Sequence, residues 1–112
     1  MICFEEMNTM FSSRLTHSAQ ASVLELTGRF DFSTYGSFKP IQAELLNQPG
    51  TSKIIIDMSQ LEYLDSAALG ILLLMREKAA ERNKKVALRG VQGIVREILG
   101  VAHFEKLFEY IG

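Results

Sequence analysis

The stretch Lys53-Ile54-Ile55-Ile56-Asp57-Met58-Ser59-Gln60-Leu61-Glu62-Tyr63-Leu64-Asp65-Ser66-Ala67-Ala68-Leu69-Gly70-Ile71-Leu72-Leu73-Leu74-Met75 decides how this chain folds. Ile54 to Ile56 are consecutive β-branched apolar residues, the pattern of a central strand buried on both faces beneath helices. A polar connection follows. The unbroken apolar run from Ala67 to Met75, rich in Leu and Ala, then favours helix over strand. The join falls at Asp65-Ser66, where small polar side chains can cap the first exposed N–H groups of the helix.

Outward from this centre, the chain alternates strand and helix signals. On the N-terminal side, Phe11 to His17 and Ala21 to Thr27 read as a hairpin. Leu24 and Leu26 alternate with Glu25 and Thr27, as in a half-buried strand that Gly28 closes. Asp31 then lies at the carboxyl end of that strand. Tyr35, Phe38, Ile41 and Leu45 recur at helical spacing, and Asn47-Gln48-Pro49-Gly50 stops the helix. Its start stays open: Ser37 as cap would put Pro40 in the first turn, whereas Ser33 as cap would make Pro40 a kink.

On the C-terminal side, Val86-Ala87-Leu88 is a short strand closed by Gly90. Ile94, Val95, Ile98 and Leu99 form an amphipathic helix with Gly100 where a C-terminal cap belongs. The tail from His103 to Ile111 reads as a closing helical turn and a short apolar segment. The order β-β-α-β-α-β-α implies parallel crossovers on one sheet with an antiparallel edge. The fold class expected is α/β, a single domain with a mixed four- to five-stranded sheet and about four helices. Residues 1–10 show no clean period and read as an N-terminal extension to a domain spanning 11–112.

Length and charge narrow the function. At 112 residues there is room for one domain and its core. Twelve Lys and Arg stand against 13 Asp and Glu, so no basic excess points to direct nucleic-acid binding. One cysteine, Cys3, excludes an internal disulfide and fits a reducing compartment; with only His17 and His103 beside it, it argues against a zinc site. Acidic residues follow the first Met where a signal peptide would be positive, and the Ala67–Met75 run is about half the roughly 20 residues of a membrane span. A soluble cytoplasmic protein, without membrane or cofactor, is expected.

Ser66 is the first candidate site residue. As an N-cap it would contribute about 1 kcal/mol to helix stability. The same place also suits a phosphate, because a helix N-terminus offers free N–H groups and a favourable dipole. An esterase elbow is a remote alternative: it needs glycines two residues either side of the serine, and Leu64 and Ala68 stand there. Asp31 and Asp57 both follow predicted strands, so they are expected at the same sheet edge as Asp65. Neither a calcium-loop spacing nor a glycine-rich phosphate loop occurs.

Ile55-Ile56-Asp57-Met58-Ser59 followed by Tyr63-Leu64-Asp65-Ser66-Ala67-Ala68-Leu69-Gly70 resembles the signature of the STAS domain, the anti-sigma factor antagonist family. Gly28-Arg29-Phe30-Asp31 resembles its other recurring element, and the likeness covers roughly Phe11 to Ile111. The resemblance implies a non-enzymatic switch. Its serine after the aspartate, here Ser66, accepts phosphate from an anti-sigma factor that is also a serine kinase, and a serine phosphatase removes it. Asp31 and Asp65 match the acidic residues beside it, and Ala67, Ala68 and Gly70 complete the implied partner surface. The family commonly has Ser or Thr and then Gly after the phosphoacceptor, so Ala67-Ala68 lacks a second hydroxyl. The same fold also serves as an accessory subunit of a lipid-transport ATPase complex, which is the alternative function. A monomer is expected, because the sheet should consume the apolar side of the Ala67 helix.

Overall fold

The computed structural model describes residues 11–112; the extension expected over 1–10 lies outside the described residues. The elements are β1 (Phe11–His17), β2 (Ala21–Phe30), a 3-10 turn (Phe32–Thr34), α1 (Tyr35–Asn47), β3 (Lys53–Leu64), α2 (Ser66–Ala80), β4 (Lys85–Arg89), α3 (Gly93–Val101), a second 3-10 turn (Phe104–Lys106) and β5 (Glu109–Ile111). The five strands lie side by side in sequence order; β1 runs antiparallel to β2 and the other pairs are parallel. The mixed α/β class is as expected, with three α-helices and two short turns among the described residues.

Strands added in one direction by right-handed crossovers put their helices on one face of the sheet. Leu24, Leu26 and Phe30 of β2, Ile54, Ile56 and Met58 of β3, and Leu88 of β4 all join one core cluster. Phe38 and Leu45 of α1, Leu72 and Met75 of α2, and Val95 and Leu99 of α3 close that cluster from above.

This layering corrects the reading of β3 as covered on both sides. Ile54 and Ile56 are wholly buried, whereas Ile55 between them is half-buried on the open face. Glu25 and Thr27 are exposed there, and the face is crossed by Asp57–Arg89 at 3.0 Å and Lys53–Glu109 at 3.2 Å.

Both strands that lead to the site run further than expected. β2 continues through Gly28 to Phe30, and the polar segment after Asp57 stays in β3 as far as Leu64. Two register shifts, between Glu25 and Thr27 and between Gly28 and Arg29, let the pairing persist although the period-2 pattern breaks. Arg29 pairs with Tyr63 and Phe30 with Leu64, so the two strands end together. Gly100 lies inside α3; the chain turns instead at His103, whose φ is 60°. No helix among the described residues is long and apolar enough to cross a membrane.

Candidate functional site

The site forms where β2 and β3 end side by side. Asp31 leaves β2, and its carboxylate accepts a hydrogen bond from the Ser33 N–H at 3.0 Å. The Thr34 hydroxyl accepts from the Asp31 N–H at 3.2 Å. Asp31 therefore opens the turn that feeds α1, and neither Ser33 nor Ser37 is the cap. Pro40 lies within α1, where it lacks the N–H that would bond to the Gly36 carbonyl.

Asp65 leaves β3 and brackets Asp31. Its N–H donates to the Phe30 carbonyl at 3.3 Å, and its Oδ2 accepts from the Phe32 N–H at 3.1 Å. Its Oδ1 accepts from the Ala68 N–H at 2.9 Å, so Asp65 is the N-cap of α2. One carboxylate thus ties the turn after β2 to the start of α2.

The capping role expected of Ser66 passes to its neighbour. Ser66 is the first residue of α2, exposed, and its hydroxyl is hydrogen-bonded to no other described residue. Apolar grooves open on both flanks of α2. One, of about 420 Å³, is lined by Ser66 and Asp65 with Leu69, Ile94, Ile98 and Val101. The other, of about 260 Å³, is lined by Phe32, Tyr35, Ala67, Gly70, Ile71 and Leu74. Phe32 is 76% exposed and Val101 83%, unusually open for such side chains beside a hydroxyl and two carboxylates.

Among the residues singled out from the sequence, Asp31, Asp65, Ser66, Ala67 and Gly70 come together here. Ala68 is turned wholly into the core and presents no side chain at this surface. Asp57 is also elsewhere: it sits inside β3, its Oδ1 accepting from the Ser59 N–H at 2.8 Å and its Oδ2 from Arg89 Nε at 3.0 Å. Burial alone would raise the Asp57 carboxyl, but bonds from the Ser59 backbone and side chain and from Arg89 hold it below its ordinary value.

Phe32, Ile94 and Val101 also line this candidate surface, and the sequence pattern does not single them out. Ile94 has the spacing of a core position, and only the placement of α3 leaves it half-exposed. Phe32, an aromatic directly after the capping Asp31, was the available signal.

Both histidines weighed for the hydrolase alternative are engaged by other groups. His17 Nδ1 is 2.7 Å from Ser22 Oγ and its Nε2 is 3.0 Å from Glu44, while His103 is 3.7 Å from Glu105. Among the described residues no group of three or more His, Cys, Asp or Glu could hold a metal ion.

Comparison with known proteins adds the following. Residues 13–109 match the family described as "Mlab, STAS domain". A STAS-domain containing protein of Pseudomonas aeruginosa (strain UCBPP-PA14) is 34% identical over 90 residues, covering 80% of this chain and 87% of that protein. An anti-sigma factor antagonist from Mycobacterium paratuberculosis superposes with a TM-score of 0.78 at 19% identity, over 89% of this chain and 84% of the other. The Bacillus cell fate determinant SpoIIAA, in its phosphorylated form, superposes with a TM-score of 0.69 at 15% identity, over 90% of this chain and 92% of the other.

Proposed function

This chain belongs to the STAS domain family, and on that premise we propose that it is an anti-sigma factor antagonist switched by phosphorylation of Ser66. The observation that carries the reading is the setting of Ser66: an exposed hydroxyl without a partner among the described residues, beside Asp65 and between two apolar grooves. With Ser66 free, the surface formed by Asp31, Asp65, Ala67, Gly70 and the groove walls binds a cytoplasmic anti-sigma factor and releases the sigma factor. The domain acts as a monomer and performs no catalysis of its own.

The anti-sigma factor is also the kinase. Ser66 Oγ attacks the γ-phosphorus of a nucleoside triphosphate held by that kinase. An Oγ–P bond forms, the bond from the γ-phosphorus to the bridging oxygen breaks, and nucleoside diphosphate leaves. The hydroxyl proton passes to a base on the kinase. The added charge, about −1.5 to −2, falls next to Asp65 on a docking surface, where repulsion and poor desolvation weaken association. The helix N-terminus tolerates the phosphate, so the fold persists. A phosphatase hydrolyses the ester and restores binding.

A second reading is favoured by the family description itself, which is that of Mlab. In it the domain is an accessory subunit of a lipid-transport ATPase complex, and the same grooves grip the ATPase with no phosphorylation cycle. Mass spectrometry of the protein recovered from its native cells separates the two. A population carrying phosphate on Ser66 and co-purifying with a serine kinase is expected; protein that is unmodified throughout growth and bound to a transport ATPase would favour the second reading.

A further inference from the structure

Asp65 spends its two carboxylate oxygens on two different segments. Oδ1 holds the Ala68 N–H of α2 at 2.9 Å, and Oδ2 holds the Phe32 N–H at 3.1 Å, 33 residues away in sequence. The Phe32 side chain is 76% exposed and forms one wall of the groove between the 3-10 turn and α2. The residue after Asp65 is Ser66, whose hydroxyl is open to solvent.

We infer that Asp65 is a positioning residue that relays the state of Ser66 to Phe32. The inference rests on phosphorylation of Ser66 as proposed above. A phosphate on Ser66 lies beside the Asp65 carboxylate and seeks the same first-turn N–H groups. Two anions then compete for one helix end, and the phosphate, with more charge and more acceptor oxygens, is the stronger competitor. The Asp65 side chain is displaced, its bond to the Phe32 N–H is lost, and the turn 31–34 loosens. The groove wall is thereby disordered at the moment the neighbouring surface gains charge. Such a relay needs no rearrangement of the sheet, because the Asp65 N–H still donates to Phe30 and the two strand ends stay joined.

The test is amide hydrogen exchange at Phe32, followed by NMR on protein with phosphoserine installed at position 66 during synthesis. Exchange should be about tenfold faster or more in the phosphorylated protein, since a bond to a charged acceptor is being lost. Asp65→Asn without phosphate should exchange equally fast at Phe32, because an asparagine whose oxygen caps Ala68 turns its NH₂ toward the Phe32 N–H. In Asp65→Asn, phosphorylation should add nothing further. Unchanged Phe32 exchange in the phosphorylated parent would overturn the relay, as would acceleration that persists in full in Asp65→Asn. The measurement involves no partner. Freed Phe32 together with undiminished anti-sigma binding would retain the relay and reject the switch.

Discussion

Asp65 and Ser66 are neighbours in the chain with separable roles. The cap of α2 is Asp65 Oδ1, and the same carboxylate holds the turn after β2. Asp65→Ala should therefore cost about 1 kcal/mol or somewhat more in urea unfolding. Ser66→Ala removes an exposed hydroxyl with no partner among the described residues and should stay within about 0.5 kcal/mol of the parent. Equal losses in the two variants would return the cap to the serine. From the sequence, Asp-Ser before an apolar run says that a cap exists. Which residue supplies it depends on where β3 ends. Pairing of Phe30 with Leu64 ends β3 at Leu64, leaving Asp65 in extended backbone with φ −104°, ψ −177° and Ser66 already helical.

At the scale of the elements, the bulged end of β3 is the part that sequence pattern conceals. Alternation of Leu24 and Leu26 with polar residues makes β2 easy to recognise, and the Leu-rich run does the same for α2. Ser59-Gln60-Leu61-Glu62 looks like a loop because two register shifts throw its apolar positions out of period. A second consequence of β3 geometry is the close approach of Gly90, whose φ is +71°. A Cβ built there would lie 2.8 Å from Ser59 Cβ and 3.0 Å from its Cα. Gly90→Ala should destabilise the domain by about 1–3 kcal/mol, through a strained φ and a contact with backbone that cannot move aside. A melting temperature equal to the parent's would show that the β4–α3 turn yields freely.

Asp57 gives the same strand a pH signature. Its carboxyl is held below its ordinary value in the folded state. It therefore contributes stability above the unfolded pKa of about 3.9, and that contribution disappears as pH falls through the lower folded value. Asp57→Asn should be less stable than the parent at neutral pH, with the gap closing below about pH 4 as the parent's carboxylate is protonated. Urea titrations at neutral and acid pH check this, and a gap independent of pH would contradict it.

At the scale of the whole molecule, the helices among the described residues pack on one side of the sheet. Three consecutive isoleucines do not reveal this, since a strand covered twice would read the same way. The distinction lies in their neighbours: Lys53, Asp57, Arg89 and Glu109 share the face of Ile55 and form ion pairs there, with Lys53 and Glu109 open to solvent and Asp57 and Arg89 partly buried. Ile56→Asp places a charge where exposure is 0% and should abolish cooperative folding. Ile55→Asp, half-buried beside Arg89 and Lys53, should still give a folded protein with a lowered melting temperature. Two variants equally unfolded would mean that both faces are covered.

The candidate docking surface lies at a single end of the molecule, where α2 begins between two grooves and beside two carboxylates. Most of its polar members were legible from the signature around Asp65-Ser66. Its apolar members depend on how α3 and the turn at Phe32 pack against α2, which local pattern does not encode. In the proposed switch, charge on Ser66 governs docking at this end. Calorimetric titration of the proposed anti-sigma partner with three forms of the folded domain tests this: parent, Ser66→Ala, and protein with phosphoserine at 66. Parent and Ser66→Ala should bind with affinities within about twofold of each other, and the phosphorylated form at least about tenfold more weakly. Equal binding by all three forms would contradict the switch.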